Sequence, residues 1–307
     1  MFTDLNNIDR STLPFYETYP DGRLQHCILN RPVLVNSGPG ALIPQYEHAG
    51  IRKKHTYSVS FFESGVISRI SLNEQTAIAT PIGSIPAELI IFYESGSLKR
   101  VFPLNGQISG YWEETDEYSL AEELSIPLAG QSIKAKVISA GFFENGEISD
   151  LTFWPGQRIK LRTPAGEQLI KTGMTFYPGG AISSFEPAAP ILVETPIGFL
   201  TAYDTTASGI SGNKNSLIFC KAGTVKSIIT SNEKVTVSSA RGYRKVYTPL
   251  TGFNFFKPLK ISFENGKVSF NNEITYDLDE YDFSIAEFAM SGHRNCADCS
   301  NCNQRCD

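Results

Sequence analysis

The sequence predicts an all-β protein: an elongated repeat of antiparallel β-hairpins, meander or solenoid-like, closed by a short C-terminal helix and a cysteine-rich tail. Three observations predict it. One phrase recurs, as FFESGVISRISL from Phe61, FYESGSLKRVFPL from Phe92, FFENGEISDLTF from Phe142 and FYPGGAISSFEP from Phe176. A second, Thr-Pro-x-Gly, opens TPIGSIPAEL at Thr80, TPAGEQLIKT at Thr163 and TPIGFLTAYD at Thr195. Helix signals are confined to two short Ser-x-x-Glu runs.

Taken in chain order, the first hairpin is the weaker copy FYETYPDGRLQHCIL near Phe15, followed by the strong copies at Phe61 and Phe92. Each sets aromatic or β-branched residues before a turn pair ending in Gly and alternating apolar positions after it, which is how two antiparallel strands and a tight turn are written. Glycine in that pair takes positive φ without a Cβ clash. Between Phe92 and Phe142, SLAEEL (Ser119 to Leu124) has the Ser-x-x-Glu spacing of a reciprocal helix cap and predicts a short helix. The copies at Phe142 and Phe176 follow, then FCKAGTVKSII at Phe219 and SFENGKVSF around Phe263. In the Thr-Pro-x-Gly phrase, Pro fixes φ and Gly closes a second turn that returns the chain to the sheet. From its Thr to the next repeat Phe the spacings are 12, 13 and 24 residues, so the third case holds an insertion within YDTTASGISGNKNS. Last, SIAEFAM (Ser284 to Met290) repeats the capping pattern and predicts the C-terminal helix, delivering the chain into the tail. The expected division is 1–282, a β-hairpin repeat domain, and 283–307, the short helix with a cysteine-rich metal-binding tail.

Composition is that of an ordinary folded chain, with 307 residues, 41% hydrophobic and 19% charged. A net charge of −5 without a Lys/Arg-rich run predicts no nucleic-acid partner, because phosphate binding needs clustered cations. MFTDLNNIDRSTLP lacks the basic and apolar regions of a secretory signal, and no apolar run is long enough to cross a bilayer. With only Cys27 and Cys220 outside the tail, a disulfide framework is not expected and a cytoplasmic location, without membrane insertion, is.

FYESGSLKR, with FENGKV and FFENGEI, resembles the Y-Y-E-N-G-x-L-K core of MORN-variant repeats, found in bacterial proteins often labelled antitoxin-like. The resemblance covers about ten residues per copy. The family's repeats are shorter and more even, whereas the turn glycines at 65, 96, 146, 180, 223 and 266 are separated by 31, 50, 34, 43 and 43 residues. The resemblance implies a repetitive β surface used for binding or scaffolding, and it transfers no catalytic residue.

The tail NCADCSNCNQRCD places Cys296, Cys299, Cys302 and Cys306 in the C-x2-C-x2-C-x3-C run of bacterial ferredoxins, with Asp307 where that pattern has Pro. The two-residue spacing lets a turn of backbone aim successive sulfurs at one centre, so an iron–sulfur cluster is the first expectation for these four cysteines. Zinc is the alternative, because four thiolates close a tetrahedral site. In a further arrangement three tail cysteines bind and Cys27 or Cys220 supplies the fourth sulfur. His293 adjoins the run and is expected to face solvent. A thiol-rich tail without bound metal is the remaining reading.

Other constellations carry less chemistry. Glu63, Glu94, Glu144 and Glu264 recur at one repeat position, immediately before a turn, which predicts solvated hairpin ends. The acidic runs EETDEYSLAEE and DLDEYD lack the order of a calcium loop and read as solvated loops. SGISGNKNS lacks the Gly-Lys-Ser/Thr of a phosphate loop and reads as an ordinary surface loop. His26, His48, His55 and His293 are accompanied by no hydrolase or zinc-protease motif. Trp112 and Trp154 are expected in core or cross-strand packing, an exposed pair being the sign of a binding face. The sequence therefore predicts a non-catalytic repeat scaffold that binds a protein partner on its β surface and carries an iron–sulfur or zinc site. The alternatives are an electron-transfer subunit of an oxidoreductase complex and a purely structural repeat with an unstructured tail.

Overall fold

The computed structural model describes residues 5, 8–128, 130–207, 212, 214–252 and 255–288. The chain is all-β, and its strands divide between two compact units, Met1–Pro190 with Ala207–Lys226, and Ile191–Thr206 with Ser227–Asp307.

In the first unit one antiparallel sheet follows chain order. It runs through Phe15–Thr18, Leu24–Ile28, Val59–Phe61, Ile67–Thr80, Gly83–Phe92, Leu98–Phe102, Val137–Phe142, Ile148–Phe153, Gly166–Phe176, Ile182–Pro187 and Leu217–Phe219. In the second unit residues 227–230 pair with Leu259–Glu264, which pairs with Lys267–Phe270 and then Ile274–Asp277. A separate sheet there joins Arg244–Tyr247, Glu233–Ser238 and Asp282–Glu287.

All seven repeated phrases are hairpins, and six share one turn. Phe62 N–H donates to Val66 O at 2.8 Å and Gly65 N–H to Phe62 O at 2.9 Å; the same two bonds recur at Gly22, Gly96, Gly146, Gly180 and Gly223. These six glycines have φ between +81° and +88°. This is a three-residue loop, a type I turn closed by a left-handed glycine that makes a bulge, and it shifts the register at Phe61, Phe92, Phe142 and Phe176. The seventh differs although its sequence, FENG, matches the third. Asn265 and Gly266 both take positive φ, +51° and +73°, and Glu264 pairs directly with Lys267, a two-residue loop. In the third copy Asn145 is held otherwise, its Oδ1 accepting Glu147 N–H at 3.1 Å. An eighth turn of the first kind, at Gly242, lacks the phenylalanine that marks the others.

The hairpins come in pairs. Tyr19 Oη donates to Phe61 O, Tyr93 Oη to Phe142 O and Tyr177 Oη to Phe219 O, at 2.9, 2.9 and 2.7 Å, each reaching 42 to 49 residues along the chain. A tyrosine-bearing hairpin is thus strapped to the next, and the structural module is a doublet. Turn spacing follows it: glycines 22, 65, 96, 146, 180 and 223 lie 43, 31, 50, 34 and 43 residues apart, long within a doublet and short between doublets. The long connections carry a separate hairpin, Val35–Ser37 with Gly40–Leu42, Leu124–Leu128 with Gln131–Ala135, and Ile191–Thr195 with Gly198–Ala202. In the short connections the sheet's own strands extend into a Thr-Pro-x-Gly turn, as at Thr80–Gly83 and Thr163–Gly166. The Thr80, Thr163 and Thr195 hydroxyls each donate to the glycine carbonyl, at 2.6, 2.9 and 2.6 Å, and accept an amide of the turn.

The core lies on one face of the sheet. Cys27, Val59, Ile70, Ile90, Val101, Ala140, Leu151, Met174, Phe185 and Leu217 are paired neighbour to neighbour across the strands, and each is fully buried. Two residues along each hairpin, Phe61, Phe92, Phe142, Phe176 and Phe219 are buried on the same face.

Both helix expectations are corrected. The α-helix of this region is Glu114–Ser119, ending where SLAEEL was to begin, with Asp116 Oδ2 accepting Glu113 N–H at 2.8 Å. Leu124 is needed as a strand residue opposite Ala135, so the helix must stop before it. At the C-terminus Asp282–Glu287 is a strand paired along its whole length with Glu233–Ser238. Phe283 and Ile285 alternate with outward residues, a period of two, and six backbone pairings outweigh one local cap.

Candidate functional site

The opposite face of the first unit's sheet carries a row of mostly polar residues, interrupted by Ile91 and Gly141. Position by position across the strands it runs Glu17, His26, Ser60, Arg69, Ile91, Arg100, Gly141, Asp150, Thr175, Ser184, each directly opposite the next. Because side chains alternate between faces, residues directly opposite point the same way, and this row backs onto the buried one. Arg69, Arg100, Asp150 and Ser184 each stand eight residues after a repeat phenylalanine, so the row is a property of the repeat.

In the middle doublet the row is neutralised. Arg100 grips Asp150 through two bonds of 2.7 and 2.8 Å and also donates to Ser139 Oγ at 2.9 Å, while Ser149 Oγ donates to the carboxylate at 2.8 Å. The pair spans an intervening strand, which is possible because Gly141 lies beneath it. A Cβ at Gly141 would stand 2.1 Å from Asp150 Oδ2.

In the third doublet the row is covered. Thr175 Oγ1 lies 2.6 Å from Ser184 Oγ, and Asn215 Nδ2 donates to Ser184 Oγ at 2.7 Å. Gly212 N–H donates to Thr152 Oγ1, and the backbone at Gly212 approaches Gly173 so closely that a Cβ there would meet Gly212 Cα at 2.3 Å. Ser216 gives both its amide and hydroxyl to the buried Glu186, at 2.7 and 2.6 Å. The insertion expected as an ordinary surface loop is thus corrected in its described part: Asn215 and Ser216 are buried, held by polar groups that no local pattern displays.

In the first doublet the row has neither an ion pair nor the insertion over it, and Tyr57 lies against it instead. His26 Nδ1 lies 2.8 Å from Ser60 Oγ, and its ring stacks on Tyr57 at 4.4 Å and 9°. Tyr57 Oη donates to Glu17 Oε1 at 3.2 Å, and Phe15 stacks beyond it. Burial depresses the His26 pKa, with Glu17 opposing and Arg69 reinforcing the shift. Arg69 donates from Nη2 to Thr56 Oγ1 at 3.3 Å, and its Nε is buried without a hydrogen-bond partner. Desolvation lowers the Arg69 pKa.

A second charged cluster is structural. Arg52 makes paired bonds to both Glu88 and Glu117, all 2.8 to 2.9 Å, and Glu117 also accepts from Trp112 Nε1 at 2.7 Å and Gly106 N–H at 2.8 Å. Glu117 is 3% exposed, which corrects the reading of EETDEYSLAEE as solvated throughout: a carboxylate satisfied by a guanidinium, an indole and an amide can be buried. Trp112 holds this knot, and Trp154 is buried edge-on to Tyr118. Glu63, Glu94, Glu144 and Glu264 are exposed at hairpin ends, as their position implied.

Cys296, Cys299, Cys302, Cys306 and His293 lie outside the described residues. Among the described residues no group of three or more His, Cys, Asp or Glu side chains could hold a metal ion. Cys27 is a core residue of 0% exposure whose thiol pKa is pushed up to about 12 by burial, so it is unsuited to supply a thiolate to the tail. Cys220 is half-buried and free.

Sequence reasoning passed over Arg69, Arg100, Asp150, Tyr57 and Glu17, and set His26 aside; alignment of the repeats at the eighth position after phenylalanine was the signal that marks three of them. Compared with known protein families, with curated proteins and with solved structures, the chain matches none. No helix among the described residues is long and apolar enough to cross a membrane.

Proposed function

We propose that this chain is a non-catalytic repeat scaffold that binds a protein partner on its β surface, with Cys296, Cys299, Cys302 and Cys306 holding an iron–sulfur cluster or, as the alternative, zinc. The observation that carries the scaffold reading is the part of the row outside the covered third doublet, from Glu17 to Arg100, on one face of a sheet whose other face is core. Protein surfaces recognise partners through such polar and aromatic positions placed on rigid elements. The likeness of FYESGSLKR and FFENGEI to MORN-variant repeats supports the same class. The tail spacing supports the metal, since the four cysteines reproduce a cluster-binding run.

A photo-reactive amino acid at Ile91, which sits in the row between Arg69 and Arg100, tests the binding face. The scaffold reading expects one discrete, saturable cross-linked species from position 91 and none from a control position at Leu169, an exposed residue of another hairpin. Equal labelling from both positions contradicts it. A visible chromophore bleached by dithionite together with electron transfer to the captured partner would favour the electron-transfer subunit instead.

A further inference from the structure

The row places the same kind of group in each doublet, and the doublets dispose of its charge differently. Arg100 has Asp150; the Ser184 position is capped by Asn215. Arg69 has neither. Where the middle doublet sets an aspartate across an intervening glycine from its arginine, the first sets His26 across Ser60 from Arg69. No carboxylate among the described residues pairs with Arg69, its one hydrogen bond is the long one to Thr56, and its Nε is buried and unsatisfied. A guanidinium carries five donors in a planar fork suited to carboxylate or phosphate, and leaving it desolvated without an anion costs stability.

Thr56 is shared with a cleft of about 370 Å³ whose other walls are Phe15, Ile28, His55 and Tyr57. That volume is at the small end of the range for ligand pockets and suits a single ring. Phe15 is 44% exposed there, and the bond to Thr56 Oγ1 brings the Arg69 guanidinium to the edge of the cleft.

We infer that Arg69 and this cleft form a binding site for a small ring-bearing oxyanion, a carboxylate or a phosphate monoester. The oxyanion takes the free donors of the Arg69 fork, and the ring rests against Phe15, Ile28 and Tyr57. Tyr57 is held in place by His26 on one face and by its hydroxyl bond to Glu17, so the wall is built before the ligand arrives. The site uses none of the tail cysteines and does not depend on a protein partner.

Calorimetric titration of the full chain with benzoate and with phenyl phosphate tests this, with inorganic phosphate and benzyl alcohol separating the two halves of the ligand. One-to-one binding by at least one ring-bearing anion is expected, at least about tenfold tighter than by either half. Benzoate and phenyl phosphate distinguish a carboxylate source from a phosphate source. Arg69→Met should abolish binding and, by removing a partly buried cation that has no counter-charge, raise the melting temperature of the unliganded protein; the wild type should gain the same kind of stabilisation from the ligand. Lys99→Gln, a cation outside the cleft, should change neither. Absence of saturable binding to the wild type by both ring-bearing anions up to about 10 mM overturns the inference. So does undiminished binding by Arg69→Met, or a variant less stable than the unliganded wild type.

Discussion

Replacing Asp150 by Ala isolates the energetic role of the row. The substitution removes both bonds from the Arg100 guanidinium, of 2.7 and 2.8 Å, and leaves it the Ser139 hydroxyl. Breaking a buried ion pair from one side costs about 3–5 kcal/mol, because the surviving charge stays desolvated. Here the Arg100 side chain is 28% exposed and Asp150 10%, so water reaches part of the guanidinium and about 2 kcal/mol is expected. Lys160–Glu167, 68% and 62% exposed, provides the contrast, and Glu167→Ala should cost no more than about 0.5 kcal/mol. Because repeat sheets open in parts, the suitable assay is native-state hydrogen exchange of the strands Val137–Phe142 and Ile148–Phe153, where 2 kcal/mol appears as about thirtyfold faster exchange. Unchanged exchange, or acceleration no greater than that of Glu167→Ala, would refute the argument that the pair is buried and structural.

Gly141→Ala should destabilise the same strands, since its Cβ would occupy the place of Asp150 Oδ2, and should add less than its full cost when combined with Asp150→Ala; thermal melts of the three variants check this. Tyr93→Phe and Tyr177→Phe each lose the strap to the neighbouring hairpin and should cost about 1 kcal/mol apiece in urea unfolding, with no loss identifying the straps as incidental. Alkylation of the native protein near neutral pH should modify Cys220 and spare Cys27, whose thiol is buried and scarcely ionised; peptide mass spectrometry reads the difference, and labelled Cys27 would contradict its core position. The His26 pKa is depressed in the fold, so the unfolded chain takes up its proton first as pH falls. Its contribution to stability is full above the ordinary histidine value and is lost as pH drops through the depressed one, and His26→Gln should flatten that decline in melts from pH 7 to about pH 5.

The hairpins were legible because their determinants are local. A glycine that must take positive φ, an aromatic before it and alternation after it lie within a dozen residues, and Phe61, Phe92, Phe142, Phe176 and Phe219 are buried as that pattern implies. The doublet was not legible while the turns were read as one uneven series; the alternation of long and short spacings emerges once Tyr19, Tyr93 and Tyr177 are seen to strap hairpins in pairs. Charge pairing was hidden for a related reason. Arg100 and Asp150 are 50 residues apart, and Arg52 reaches Glu88 and Glu117 across 36 and 65, so only the sheet register brings them together. The C-terminal strand was misread because the Ser-x-x-Glu cap at Ser284 is a weak local preference, overridden by pairing with a strand nearly fifty residues earlier.

The claim that this is a metal-carrying scaffold is tested most directly by iron, zinc and acid-labile sulfide analysis, with a visible spectrum, on the full chain purified without oxygen. The account predicts stoichiometric iron and sulfide, or failing those zinc, lost when Cys296, Cys299, Cys302 and Cys306 become Ser while the hairpin sheet keeps its melting temperature. Protein that carries neither metal in stoichiometric amount would contradict it.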